Sequence, residues 1–155
     1  MSQMPTQEEQ SRWHRFFAID CNNSAWGLVE NSKRSADQDA DLLRRAYAAA
    51  HHWFQVGDDV NKNRAEGLLG QAHACLGHGE LAMHYAQRNH DFVLGRDSDA
   101  WEVAFAHSVL SHAASAAGQS ALHAEQYGKA QAVAESLGGQ DRQIFDSTFH
   151  LVPKP

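Results

Sequence analysis

The chain has 155 residues, 43% hydrophobic and 21% charged, and a formal charge of −6 with its eleven histidines neutral. That length and apolar content suit one domain with a single core and argue against intrinsic disorder. Basic residues occur only in short pairs such as Lys33-Arg34 and Arg44-Arg45, which argues against a nucleic-acid partner, and no apolar run approaches the roughly 20 residues that cross a bilayer.

The opening segment, "MSQMPTQEEQSRWHRFF", lacks the charged start, apolar stretch and small-residue cleavage site of a secretory signal, so a cytoplasmic protein with no membrane partner is expected. Thr6 and Glu9 have capping-box spacing and predict a first helix to about Ile19, with Trp13, Phe16 and Phe17 on its apolar side. "DCNNS" is expected to break that helix, with Asn23 or Ser24 capping a shorter second one through Trp26, Leu28 and Val29. After the polar turn "NSKRSADQD", "ADLLRRAYAAAHHWFQV" predicts a third helix ending at Gly57.

A fourth helix is expected over about Lys62 to Leu76, where Ala65, Leu69, Ala72, His73 and Leu76 recur at three and four residues. Gly77-His78-Gly79 makes the next turn, and the fifth helix runs to "LGRDSD". Ser98 or Asp99 caps a sixth over about Ala100 to Ala117. Gly118 opens a seventh to Gly138-Gly139, and a short amphipathic segment with Ile144, Phe145 and Phe149 leads to "VPKP", an end expected to fray. The fold class is all-α, with about seven helices in antiparallel hairpins. A single domain over residues 1–155 divides into N-terminal helices (1–36), hairpins (37–138) and a C-terminal amphipathic segment and tail (139–155).

Residues 63–89 and 104–130 align without gaps. Leu69-Gly70 matches Leu110-Ser111, and Gly77 matches Gly118. This pattern resembles the tetratricopeptide repeat, although His123, Ala86 and Asn89 depart from it and the copies lie 41 residues apart instead of about 34. The run "HHWFQVGDDVNKNRAEGLLGQAHACLG" is also similar to that of a group of uncharacterised bacterial helical proteins. The resemblance covers about residues 40–137 and implies an irregular, right-handed superhelical stack of hairpins with a concave binding face. The family's groove positions fall on Arg64, Gly67, Gln71, Ala74, Phe105, Ser108, His112 and Ser115, of which Arg64, Gln71, Phe105 and His112 are the candidate partner-binding residues.

Histidine is the unusual residue type. His73, His78, His84 and His90 crowd one stretch, yet none stands at the i, i+4 spacing with which two helical histidines hold one metal. Their helical angles send them in different directions, leaving only His73 placed to meet other helices. A metal site would have to gather histidines from several helices, and His52, His73 and His107 are the candidates. Ser111-His112 is not a nucleophile and base, because helix neighbours point about 100° apart. Cys21 and Cys75 read as buried thiols.

These readings favour a non-enzymatic module without cofactor that binds a protein, a peptide or a second copy of itself as a homodimer. The alternatives are a metal-dependent or acid-base enzyme using histidines from several helices, and assembly that changes as eleven histidines protonate.

Overall fold

A computed structural model describes residues 4–155, and among these it has seven α-helices and no strand. The first, α1 (Gln7–Glu30), begins as its sequence requires: the Thr6 side chain accepts from the Glu9 backbone while the Glu9 carboxylate accepts from the Thr6 backbone. The expected break at "DCNNS" does not occur. Ser24 turns its hydroxyl back onto the carbonyls of Asp20 and Cys21, at 2.8 and 3.2 Å, so the polar run stays inside the helix. The neighbouring α2 (Ala36–Val56) supplies the packing that sustains 24 residues of helix.

Ser35 with Gln38 caps α2, and Asp58 with Asn61 caps α3 (Asp59–Cys75) in the same reciprocal way. Next come α4 (Gly79–Leu94), α5 (Ala100–Ala116), α6 (Ser120–Ala134) and α7 (Gly139–Phe149). The merging of the two expected N-terminal helices makes the amphipathic C-terminal segment the seventh helix. Although Asp99 precedes α5, its side chain caps nothing, and Ser98 bonds the Val93 carbonyl instead.

Three pairs pack along their lengths: α1 on α2, α3 on α4 and α5 on α6. Each pair is antiparallel, because contacts climb one helix as they descend the other. His14 meets His52, whereas Arg34, beyond the end of α1, bonds Asp39 at the start of α2. Glu66 meets Arg88 and Gly70 lies against Ala86; His107 meets Gln126 and Ser111 meets His123. By contrast α3 and α5 run parallel, joined by Arg64 to Glu102 and Gln71 to His112.

Small residues set the spacing. Ala46, Ala49, Ala65 and Ala72 pack with Leu42, Leu68 and Leu69 between α1, α2 and α3. Ala82, Ala86 and Ala113 with Val109 and Leu110 join α4 to α5, and Ala104, Ala130 and Ala134 with Phe145 bring in α7. A Cβ on Gly70 would stand 2.9 Å from the Ala86 nitrogen, so the two backbones approach at a distance that glycine alone permits.

Gly77 (φ +73°) and Gly118 (φ +72°) end α3 and α5 identically. In both, the residue after glycine reaches back five positions, His78 to His73 at 2.9 Å and Gln119 to Ala114 at 2.8 Å, and glycine reaches back three. This is the Schellman cap, which requires left-handed backbone at that position. The terminal segment does not hang free: Val152 is buried, and the Pro153 carbonyl accepts from His123 Nε2 at 2.8 Å.

Candidate functional site

The helix order leaves a cleft of about 370 Å³ where α1, α3, α4, α5 and α7 meet. Trp26 comes from α1, Phe105 and Trp101 from α5, Val93 from α4 and Ile144 from α7. Trp26 meets Phe105 edge to face, with centroids 5.3 Å apart. At the rim Arg64 lies over the Trp101 ring, 5.2 Å from its centroid, and donates to Glu102 at 3.0 Å. A second cleft of about 380 Å³ shares Trp101, Phe105 and Ile144 and adds Gln140, Asp141 and Phe145.

Asn63 and Asn89 line the first cleft. Asn89 Nδ2 donates to Asn63 Oδ1 at 2.8 Å, while Asn89 Oδ1 is buried without a partner. The lining is therefore mixed, with aromatic and aliphatic walls and a few polar groups.

Of the four residues expected on the groove, Arg64 and Phe105 line this cleft. Gln71, fully buried, and His112, 7% exposed, instead meet each other between α3 and α5, Nε2 to Nδ1 at 2.9 Å. They tie the two helices together. Burial, reinforced by the neighbouring His123, pushes His112 down to about 4, so its ring is neutral near pH 7 and Nδ1 is free to accept from the Gln71 amide.

The histidines of residues 73–90 do not all diverge. His73 and His78 face each other across the Schellman turn, Nδ1 to Nδ1 at 3.0 Å, and the Tyr47 hydroxyl bonds His73 Nε2 at 2.8 Å. His90 reaches His107 at 3.2 Å, and His107 Nδ1 contacts Gln126 Oε1 at 2.7 Å. Angles on one helix could not reveal either meeting, because the turn and the neighbouring helix bring the second ring. His84 is exposed, as its angle implies.

His52, His73 and His107 fall in three separate contact sets. His52 joins His14 and His51, and among the described residues these three are the group whose ligand atoms gather, all within 4.8 Å of one another. Desolvation, then the nearby His14 and His51, lowers the proton affinity of His52. Burial similarly lowers that of His73, His90 and His107. Ser111 bonds the His123 carbonyl and makes no pair with His112. Both cysteines are free thiols, and burial raises each.

Trp26, Asn63, Asn89 and Ile144 escaped the sequence reading. The expected break in α1 hid Trp26 from the groove. Asn63 and Asn89 did leave a signal: the aligned positions in the second copy are Ala104 and Ala130, so asparagine interrupts an otherwise apolar seam. No family model, curated protein or solved structure matches this chain. Among the described residues no helix is long and apolar enough to cross a membrane.

Proposed function

We propose that the chain is a non-enzymatic protein-binding module that takes an apolar side chain of a partner peptide into the Trp26–Trp101–Phe105 cleft. The observation that carries this reading is the cleft itself, whose aromatic and aliphatic walls come from α1, α4, α5 and α7 while the Arg64–Glu102 pair stands at its rim. Tryptophan and arginine are the residue types most often responsible for binding energy at interfaces. The polar floor at Asn63 and Asn89 suits a ligand with a backbone as well as an apolar tip.

An irregular tetratricopeptide-like stack belongs to the same reading. Its support is the offset of 41 residues that relates Gly77 to Gly118 and Gln71 to His112, together with the parallel packing of α3 and α5. Stacked hairpins of that kind present first-helix side chains on one inner face. Here α1 and α7 flank that face and narrow it to a pocket.

The test is selection of displayed random peptides on the untagged protein, followed by nuclear magnetic resonance with the enriched sequences. Shifts at the Trp26 and Trp101 indoles, and a tenfold or greater loss of affinity in Phe105→Asp, are expected. Enriched peptides that bind Phe105→Asp equally well, or a failure to enrich any, would remove the proposal.

A further inference from the structure

His14 lies on α1 and His51-His52 near the end of α2, at the opposite end of the α1–α2 hairpin from the Arg34–Asp39 pair. The three rings stand in mutual contact, with centroids 5.0 Å apart for His14 and His52, 5.2 Å for His51 and His52, and 6.1 Å for His14 and His51. His14 Nδ1 and His52 Nδ1 are 2.8 Å apart. On a metal with nitrogen at about 2.0–2.1 Å, neighbouring ligands stand about 2.9 Å apart at a right angle and about 3.3–3.4 Å apart in a tetrahedron, so this pair needs to move by about 0.6 Å or less to hold one ion. His51 is exposed, and its ring can turn to the third position without disturbing the core.

We propose that His14, His51 and His52 bind one divalent transition-metal ion, of the zinc, copper or nickel class, across the α1–α2 hairpin. Three imidazoles with no carboxylate or thiolate form a nitrogen-only set, which suits these ions and does not suit magnesium or calcium. The half-buried surroundings of His14 and His52, with Phe17 against the His52 ring at 5.6 Å, keep the rings in place. In the free protein one of the two facing Nδ1 atoms carries the hydrogen. On binding, that ring shifts its hydrogen to Nε2 and both Nδ1 lone pairs go to the metal, so neutral rings release no net proton.

The remaining coordination positions face outward beside the exposed His51 and take water. Adjacent positions 51 and 52 differ from the i, i+4 arrangement that would reveal a one-helix site. It is the antiparallel α1 that supplies the third donor, which is why the spacing of α2 alone is uninformative.

The probes are Zn²⁺, Ni²⁺ and Cu²⁺ added to chelator-treated, untagged full chain. Calorimetry is expected to give one ion per chain, with at least a tenfold loss of affinity in His14→Ala and in His52→Ala and a smaller loss in His51→Ala. His84→Ala, on exposed α4 surface, should bind as the parent does. The copper form of the parent should show nitrogen hyperfine coupling in electron paramagnetic resonance, a readout that needs no variant to fold. Metal should also raise the melting temperature of the parent and not of His14→Ala, because the ion joins two helices. Absence of binding by the parent, absence of nitrogen coupling, or unchanged binding in a folded His14→Ala/His51→Ala/His52→Ala protein would overturn the assignment.

Discussion

The hairpins α3–α4 and α5–α6 are both antiparallel and end their first helices on the same glycine cap, with different interiors. Where the first has Gly70 against the Ala86 backbone, the second has Ser111, whose hydroxyl donates to the His123 carbonyl at 3.0 Å. The Asn63–Asn89 pair of the first is replaced in the second by Ala104 and Ala130, packed with Phe145. At the shared boundary the equivalent positions Gln71 and His112 bond each other. The two hairpins therefore share their glycine caps while the seams between their helices differ. The buried polar contacts lie in those seams.

The strongest test of that contrast is Gly70→Ala. Its new Cβ meets the Ala86 nitrogen at 2.9 Å and Val109 Cγ1 at 3.2 Å, and a backbone atom cannot move aside as a side-chain tip can. A loss of about 3 kcal/mol is expected in urea unfolding, after the gain of about 1 kcal/mol that alanine brings to a helix. Gly128→Ala, where nothing lies within 4 Å, should instead gain about 0.5–1 kcal/mol. Equal responses at the two sites would mean that α3 and α4 are not in backbone contact.

Acid should act next most strongly, through the boundary between the hairpins. His112 is held down to about 4 against the ordinary 6.5, so the folded state binds its proton more weakly than the unfolded state. Stability that is present above pH 6.5 is therefore lost as pH falls towards 4. Between pH 7.5 and 5 the loss through His112 is on the order of 2 kcal/mol. His52, His73, His90 and His107 are shifted in the same direction and add to the slope. His112→Gln, which can still accept from Gln71, should unfold with a shallower dependence on pH. An unchanged slope would show that His112 is not a main source of acid sensitivity.

These same particulars mark what the sequence made legible. The box at Thr6 and Glu9, the glycines at 77 and 118 and the alternation of leucine with alanine on α3 act within one or two turns, so their outcome is written locally. The long α1 was not, because Ser24 can either begin a helix or bond back into one, and only α2 decides. Arg64 and Phe105, which the repeat register puts on an inner face, both line the cleft. The burial of Gln71 and His112 depends on how near α5 lies to α3, and the gathering of His14, His51 and His52 depends on a helix more than 30 residues away. Distances across the chain are set by packing, which periodicity does not encode.

The asparagine seam gives a further way to separate the hairpins. Asn63→Ala leaves the buried Asn89 amide with only the Asn63 carbonyl at 3.4 Å, and a loss of about 2 kcal/mol is expected. Asn63→Ala/Asn89→Ala copies the alanines of the second hairpin and removes both polar groups. Its loss should fall short of the summed single losses by about 1 kcal/mol, a coupling that a double-mutant cycle measures directly. Strict additivity would mean that the two side chains do not interact.

The smallest effect runs the other way. Ser108 is 1% exposed and its hydroxyl has no partner, whereas the hydroxyl of Ser111, one turn later, is bonded. An unbonded buried hydroxyl carries a desolvation cost without return, and alanine is the better helix former. Ser108→Ala is therefore expected to stabilise the chain by about 1 kcal/mol, while Ser111→Ala loses a similar amount. The aligned position in the first hairpin is Gly67, which leaves room for the Asn89 amide at 3.0 Å from an added Cβ; no such neighbour demands a polar group at 108. A loss of stability in Ser108→Ala would mean that the hydroxyl has a partner in solution, and that the second seam is as polar as the first.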